Sequence, residues 1–327
     1  MTNRSGAGAV RPLALAWVGR HLDVGERIVR TEALHGGITA EMRRLTVGTR
    51  DGGTRDLVLR TFVDPLFVEN AEELLNREAD VLALLAGTAV PAPEPVAVDP
   101  TAAQCEYPSL LMTHLAGRTV LDDEGLEARV PLLARQLVAI HALRPAERPQ
   151  AYEAWTTADA VVPPEGADAA AWAAATDVIR RPAPPCAGRF LHRDFHPGNV
   201  LFDVTPPSPA GPRITPANPR ITGVVDWVQT SWGPADLDVA HCSTNLALLH
   251  GPAWGLRFAE AYEEAGGVLA ATASERLYWR LLDGLAFATG LQWVTRPWRE
   301  AGRAELTTRA AERRLDAYVT ALLDTLG

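Results

Sequence analysis

The sequence of 327 residues lacks the features of several protein classes. It has only three cysteines, which lie far apart and so form neither a disulfide framework nor a zinc module of paired cysteines. No apolar run approaches the length of a membrane span. The net charge of −9 argues against a nucleic-acid partner, because phosphate binding needs clustered positive charge. We therefore expect a soluble, cytoplasmic protein that contacts neither membrane nor nucleic acid.

What the sequence does contain is the composition of a globular protein. Apolar residues make up 47% and charged residues 22% of the chain, which excludes a disordered protein and indicates an ordinary solvated surface. The length suits two lobes around a cleft better than one minimal domain. Oligomeric state cannot be read from the sequence.

The first third of the chain alternates short strands with one long helix. A helical period of apolar residues covers residues 69–85, and a Pro-rich segment follows it. Residues 12–18 predict a first amphipathic helix. The predicted strands, separated by Gly-rich turns, are residues 32–34, 43–47, 57–62, 96–98 and 109–113.

After Gly117 the pattern becomes mainly helical. The segments with helical periodicity are residues 126–143, 168–180, 236–249, 275–294 and 301–326. Short strands at 190–191, 200–202 and 221–225 interrupt them, and a Pro-rich segment before residue 221 predicts a long surface loop. The sequence therefore predicts an α+β protein with a β-rich lobe over residues 1–115 and an α-rich lobe over residues 116–327.

Residues 190–203, FLHRDFHPGNVLFD, carry the clearest chemical signal. They contain the pattern H-R-D-x-x-x-x-N as His192, Arg193, Asp194 and Asn199, which is typical of kinase catalytic loops. Phosphoryl transfer needs a carboxylate to accept a hydroxyl proton, and we assign that role to Asp194. Asn199 could reach a metal ion with its amide oxygen.

A second carboxylate follows an apolar strand in the segment ITGVVDW, residues 221–227. Asp226 at the end of this strand would point into a cleft, where it could hold Mg²⁺ through oxygen ligands. We therefore predict Asn199 and Asp226 as metal ligands and Mg²⁺ with ATP or GTP as the cofactors.

The joint pattern HRDFHPGN…GVVDW resembles the aminoglycoside phosphotransferase and choline kinase group, over nearly the whole chain. This resemblance implies a bilobal protein-kinase-like fold that binds a nucleotide between its lobes. It also implies that Asp238 ties the catalytic loop to the following helix, so that His192, Arg193 and Asp238 support the loop. Arg193 departs from the family, which usually has glycine at this position.

The resemblance also implies nucleotide-binding residues in the first lobe. Arg60 stands where a basic residue, usually lysine, grips phosphates, and Glu78 is its expected partner, with Glu72 and Glu73 as competing choices. Gly36 and Gly37 would form a phosphate-binding loop, although such a pair is more often an ordinary turn. Residues 110–117 fit the hinge that binds the base, with Met112 and Leu115 beside it, although a buried strand would look identical.

The substrate is the least determined part of the prediction. Candidate contacts are His196, Trp279 and Asp283, although burial between helices is the commoner role of such a tryptophan. An isolated acid such as Asp283 in an apolar helix requires a partner. We expect γ-phosphate transfer to a hydroxyl of a small molecule such as an aminoglycoside or another antibiotic, with a choline-like alcohol or a sugar as alternatives.

Three other functions fit parts of the pattern. A nucleotide-binding pseudokinase would usually have lost Asp194, Asn199 or Asp226. A protein kinase would show D-F-G and A-P-E, whereas this chain has Asp226-Trp-Val and no A-P-E. A zinc hydrolase would use His192, Asp194 and His196 as ligands, but the other histidines show no matching spacing.

Overall fold

The computed structural model describes residues 11–34, 40–203 and 219–327. Two compact units are present, one formed by residues 1–88 and 92–115 and the other by residues 89–91 and 116–327. Gly36 and Gly37 lie outside the described residues, as does most of the predicted Pro-rich loop.

The first unit is built on a five-stranded antiparallel sheet with the strand order β1-β2-β3-β5-β4. The strands are β1 (Arg27–Leu34), β2 (Glu41–Gly48), β3 (Thr54–Thr61), β4 (Pro95–Asp99) and β5 (Ser109–Thr113). One face of the sheet packs on α1 (Pro12–Arg20), whose Trp17 and Val18 are fully buried against Leu45 and Leu57. The apolar residues of α1 therefore cover a sheet face.

The helix α3 (Ala71–Leu85) follows a single-turn helix, α2 (Pro65–Val68). Its buried side chains include Leu75, Glu78 and Leu82, which lie on one face because residues three and four apart are neighbours on a helix. Gly87, with φ +81°, follows α3 in the left-handed region that glycine adopts at helix ends. The burial of a glutamate on this face signals a buried ionic partner.

The second unit is mainly helical around a large apolar core that includes Trp172, Trp279 and Tyr318. Its helices are α4 (Leu126–His141), α5 (Ala169–Ile179), α6 (Ala235–His250), α7 (Pro252–Glu264), α8 (Ala273–Ala286), α9 (Leu291–Glu300) and α10 (Thr308–Leu326). The helix α6 is buried along almost its whole length. A helix that is buried all round can direct polar side chains only toward other protein groups.

Two short antiparallel sheets hold the loop that carries the predicted catalytic residues. The strand β6 (Gly188–Leu191) pairs with β9 (Ser231–Pro234), and β7 (Val200–Phe202) pairs with β8 (Ile221–Val224). Residues 192–199 therefore have a strand on each side, and Asp226 lies just beyond the end of β8.

The predicted α+β class is confirmed, but several boundaries were wrong. The predicted helix 275–294 ends at Ala286, continues as one 3₁₀ turn, and restarts after Gly290 as α9. The predicted helix 301–326 begins only at Thr308, capped by the hydroxyl of Thr307. The sequence prediction missed α7 and β9 and began β1 too late, because the full pairing of β1 with β2 starts at Arg27.

Among the described residues, none of the helices combines the length and the apolar character needed to cross a membrane.

Candidate active site

The predicted catalytic loop is fixed at both ends by main-chain hydrogen bonds. Its last turn is a 3₁₀ helix over Pro197–Asn199, and the carbonyl of Asn199 accepts a hydrogen bond from the N–H of Val225 at 3.0 Å. This bond continues the β7–β8 ladder by one step. The loop and the residue before Asp226 are therefore held side by side.

The carboxylate of Asp194 is held from two sides. The amide nitrogen of Asn199 lies 3.0 Å from Oδ2, and Nε2 of His241 lies 3.0 Å from Oδ1. Burial acts to raise the pKa of Asp194, but the neighbouring imidazoles of His196 and His241 outweigh it, so the pKa lies below its ordinary value. The side chain is still 29% exposed. Asp194 is thus an ionised, oriented carboxylate with one accessible side, which can accept a proton from a hydroxyl.

His192 stiffens the loop as a neutral imidazole. Its Nδ1 accepts from the N–H of Asp194 at 3.2 Å, so Nε2 carries the proton and donates to the carbonyl of Val225 at 3.1 Å. Burial lowers the pKa of His192, which favours this neutral form. The ring therefore joins the main chain at Asp194 to the segment that leads to Asp226.

Asp238 joins the loop to α6. Its two carboxylate oxygens accept the main-chain N–H groups of His192 at 2.8 Å and Arg193 at 2.7 Å. One of them also contacts Nε2 of His141 at 3.1 Å. Burial acts to raise the pKa of Asp238, but the hydrogen bond from His141 and nearby positive charge outweigh it and lower the pKa. The N-terminal turn of α6 thus sets the path of the main chain just before Asp194.

Arg193 occupies a backbone conformation that glycine adopts more easily. Its φ is +69°, within the left-handed region. This conformation is energetically unfavourable for any residue that has a Cβ atom. The guanidinium donates to the carbonyl of Glu153 at 3.0 Å and lies 4.1 Å from the ring centre of Trp155. These contacts give a physical reason why arginine is tolerated where the resembling family usually has glycine.

The zinc hypothesis can be tested against the histidines that surround Asp194. Ligand atoms of Asp194, His196 and His241 lie within 4.8 Å of one another. However, Nδ1 of His196 accepts from the N–H of Gly198 at 3.1 Å, so the neutral ring carries its proton on Nε2, the nitrogen that faces Asp194. Both ring nitrogens of His241 face carboxylates. Because a protonated nitrogen cannot bind a metal, this arrangement disfavours a zinc site.

Asn199 and Asp226 offer the oxygen ligands that Mg²⁺ prefers. The amide nitrogen of Asn199 donates to both the carbonyl and the carboxylate of Asp194, so its amide oxygen is the atom that could face a cation. Asp226, with φ +66°, follows β8, and Asn199 directly precedes β7. Because β7 and β8 are antiparallel, the two residues lie at the same end of this strand pair. The donor set therefore fits a magnesium ion, which would neutralise charge on phosphate oxygens, although its ligation by these residues stays a prediction.

In the first unit, Arg60 pairs with Glu78. One guanidinium nitrogen lies 2.9 Å and 3.0 Å from the two carboxylate oxygens, and both residues are almost fully buried. The competing Glu73 instead contacts Arg77. The sequence contains no lysine, so arginine is the cation available for this position.

The hinge candidates lie at the end of the same sheet. Met112 is buried in β5, opposite Val58 of β3, and Leu115 is half-buried just beyond the strand. The nucleotide-binding roles of Arg60, Glu78, Met112 and Leu115 stay predictions.

Two of the three substrate candidates are buried. Trp279 is fully enclosed in the core, which leaves no indole surface for a substrate. Asp283 is buried as well, and its carboxylate lies 3.2 Å from Nδ1 of His241. The sequence prediction missed His241, because its partners Asp194 and Asp283 lie 47 and 42 positions away in the sequence and no motif spacing links them to it. His196 retains some exposure beside Asp194 and stays a candidate.

Comparisons with known proteins give a family match and solved structures of similar fold. The model of the Phosphotransferase enzyme family (APH) matches residues 31–279. No curated protein sequence matches the chain. Among solved structures, a thermostable mutant of aminoglycoside phosphotransferase APH(4)-Ia in complex with ADP and hygromycin B is 20% identical, covers 96% of this chain and 99% of its own, and has a TM-score of 0.60.

Macrolide 2′-phosphotransferase MphH from Brachybacterium faecium is 15% identical, with coverage of 92% and 97% and a TM-score of 0.53. Similarities at this level of identity establish the fold, which is that of the predicted group. The family match spans most of the chain, and its range includes residues 192–199, Asp226 and Asp238. The chain therefore belongs to the phosphotransferase enzyme family.

Proposed function

We propose that this protein transfers the γ-phosphate of ATP or GTP to a hydroxyl group of a small molecule. The observation that carries the proposal is the double restraint on Asp194, whose two carboxylate oxygens contact Asn199 and His241 while its side chain stays partly exposed. A carboxylate fixed in this way can orient an incoming hydroxyl, and positioning supplies much of the catalysis in phosphoryl transfer.

In the proposed reaction, the substrate oxygen forms a bond to the γ-phosphorus as the bond to the bridging oxygen of the β-phosphate breaks. The hydroxyl proton passes to Asp194, and the nucleoside diphosphate leaves with the bonding electrons. A magnesium ion held by Asn199 and Asp226 would stabilise the negative charge of the phosphates. Arg60, oriented by Glu78, would bind the phosphates.

A small-molecule acceptor is supported by the segment that follows Asp226. Trp227–Gln229 forms a 3₁₀ turn, and β9 leads directly into α6, with no room for the long activation segment of a protein kinase. The two similar structures belong to an aminoglycoside phosphotransferase and a macrolide phosphotransferase. We propose an antibiotic of one of these classes as acceptor, with other small alcohols as the competing choice.

Phosphorus NMR over a panel of aminoglycosides, macrolides, choline-like alcohols and sugars, with ATP and GTP compared, tests this function. A new phosphate-monoester resonance, formed together with nucleoside diphosphate, is the expected result. If calorimetry detects Mg²⁺-nucleotide binding but no acceptor or water is phosphorylated, the protein is a nucleotide-binding pseudokinase. Absence of nucleotide binding would contradict both functions.

A further inference from the structure

A chain of buried charged groups extends from Asp194 into the helical core. Oδ1 of Asp194 lies 3.0 Å from Nε2 of His241, and Nδ1 of the same ring lies 3.2 Å from Oδ1 of Asp283. The side chains become progressively less exposed along this chain, at 29% for Asp194, 5% for His241 and 0% for Asp283. His241 on α6 thus bridges the predicted catalytic carboxylate and a carboxylate of α8.

The geometry determines the protonation state of His241. Only an imidazolium can donate a hydrogen bond from both nitrogens, and a neutral ring would place one lone pair against a carboxylate oxygen. Burial acts to lower the pKa, but the charge and hydrogen bonds of Asp283 and Asp194 outweigh it and raise the pKa of His241 to about 9. His241 is therefore cationic at neutral pH.

The neighbouring groups are consistent with that charge. The guanidinium of Arg193 lies 3.8 Å from Asp283, so two carboxylates face two cations in this cluster. The ring of His196 lies 5.8 Å from that of His241 and stays neutral, because burial outweighs the charge of Asp194 and lowers the pKa of His196 to about 4. Trp155 and Phe287 add only aromatic contacts.

One neutral group competes for the same nitrogen. The amide nitrogen of Asn245 lies 3.2 Å from Nε2 of His241 and donates to its main-chain carbonyl at 3.0 Å. A neutral His241 could accept from this amide, but its lone pair would then also face Asp194. A cationic His241 would lose a proton only well above pH 7, whereas a neutral His241 would already be deprotonated at pH 7, so a titration distinguishes the two states.

We propose that His241, held by Asp283, is a positioning residue that fixes the carboxylate of Asp194 in the orientation needed for phosphoryl transfer. The inference rests on the proposed function of Asp194. His241 lies three residues after Asp238 on α6, and residues at this spacing share a helix face. The same face thus holds both the main chain before Asp194, through Asp238, and its side chain, through His241.

The contribution of His241 to turnover follows from the contacts that hold the carboxylate of Asp194. Asn199 restrains Oδ2 and His241 restrains Oδ1. Loss of His241 would leave the carboxylate with one hydrogen bond, from Asn199, and with the more distant Nε2 of His196 at 3.6 Å. Misplacement of a catalytic group by about 1 Å can cost on the order of a hundredfold in rate. The loss should affect turnover and not nucleotide binding, because the described contacts of His241 include none of the predicted nucleotide-binding residues.

Two variants and one control test the proposal. His241→Gln keeps a donor that can serve only one carboxylate, and Asp283→Asn removes the charge that holds the imidazolium. His250→Gln is the matched control, because His250 also lies on α6 with a buried side chain but pairs with Asp123 instead. All are assayed for nucleotide-dependent phosphoryl transfer to the acceptor found by NMR or to water, as a function of pH.

We expect His241→Gln to lower kcat by about tenfold to a hundredfold, with the KM for nucleotide changed by less than about threefold and with His250→Gln close to the wild type. The wild-type kcat should fall as pH rises through about 9, and this limb should be absent from His241→Gln. An unchanged kcat in His241→Gln, or a KM increase that accounts for the whole loss, would overturn the positioning role.

Nitrogen-15 NMR of histidine-labelled protein provides a readout independent of turnover. The His241 resonances, assigned by their loss in His241→Gln, should show an imidazolium that titrates well above pH 7, and Asp283→Asn should lower that pKa. A His241 that is neutral at pH 7.5 would overturn the proposal even in an active enzyme. A protein with the expected titration but no phosphoryl transfer to any acceptor would instead overturn the proposed function.

Discussion

Replacement of Arg193 tests the structure of the catalytic loop quantitatively. Arg193→Gly removes a guanidinium that donates to the carbonyl of Glu153, covers the ring of Trp155 and lies 3.8 Å from the carboxylate of Asp283. A hydrogen bond from a charged group contributes about 1.5–3 kcal/mol, and a partly exposed cation–π contact about 0.5–2 kcal/mol. Against these losses stands the relief of the left-handed backbone at φ +69°, about 1–2 kcal/mol.

The balance of the hydrogen bond, the cation–π contact and the backbone predicts that Arg193→Gly destabilises the protein by at least about 2 kcal/mol, measured as the free energy of unfolding in urea. Loss of the ion pair with buried Asp283 adds to this destabilisation. Arg193→Ala is the informative control, because it loses the same side chain but keeps the strained backbone. It should be less stable than Arg193→Gly by about 1 kcal/mol. Equal stability of the two variants would contradict the left-handed conformation, and a glycine variant as stable as the wild type would refute the assigned contacts.

Three further predictions concern separate parts of the chain. Glu78→Gln should raise the KM for nucleotide about tenfold, because it removes the buried carboxylate charge that orients the guanidinium of Arg60. Glu73→Gln, whose carboxylate is exposed, should leave the KM unchanged, and equal effects of the two would contradict the pairing. Gly117→Ala should lower the free energy of unfolding by about 2–4 kcal/mol. The reason is that Gly117 has φ +113° and an added Cβ would lie 2.8 Å from the carbonyl oxygen of Phe202. An unchanged free energy of unfolding in urea would refute the close approach. The pKa of His241 is raised in the folded state, so this residue should contribute about 3 kcal/mol to the free energy of unfolding. The contribution should be fully present below the unfolded-state pKa of 6.5 and lost as pH rises through about 9. Unfolding free energies measured from pH 6 to 10 should show this loss in the wild type and not in His241→Gln.

The sequence was sufficient to predict the α+β class and the strands that flank the loop at Asp194, because both depend on local patterns. Strand periodicity and the fixed spacing from His192 to Asn199 are visible without knowledge of the tertiary structure. The pairing of Arg60 with Glu78 was implied by the family resemblance and not by a local pattern, and the structure places Glu78 on the buried face of α3.

The role of His241 depends on tertiary packing and could not be predicted in the same way. A single histidine in a helix has no pattern that identifies its partner, and the packing of α6 against α8 is what brings Asp283 to it. The sequence did indicate that Asp283, an isolated acid in an apolar helix, requires a partner. The structure supplies a histidine of the protein as this partner.

The predicted helix boundaries were wrong where glycine or a capping residue ends or starts a helix within a stretch of continuous apolar periodicity. Residues 275–294 keep a helical pattern in the sequence, but the chain turns at Gly290 and begins α9. The capping hydroxyl of Thr307 similarly delays α10 beyond the predicted start. Periodicity alone cannot locate such interruptions.

The most direct test of the central claim is the turnover of Asp194→Asn compared with the wild type, measured by phosphorus NMR with Mg²⁺ and the preferred nucleotide. The amide keeps the shape of the side chain but cannot accept the proton, so we predict a loss of phosphoryl transfer of at least about a hundredfold. Calorimetry on the same variant should show that nucleotide binding persists. Turnover like that of the wild type in Asp194→Asn would contradict the assignment of Asp194 as the catalytic base.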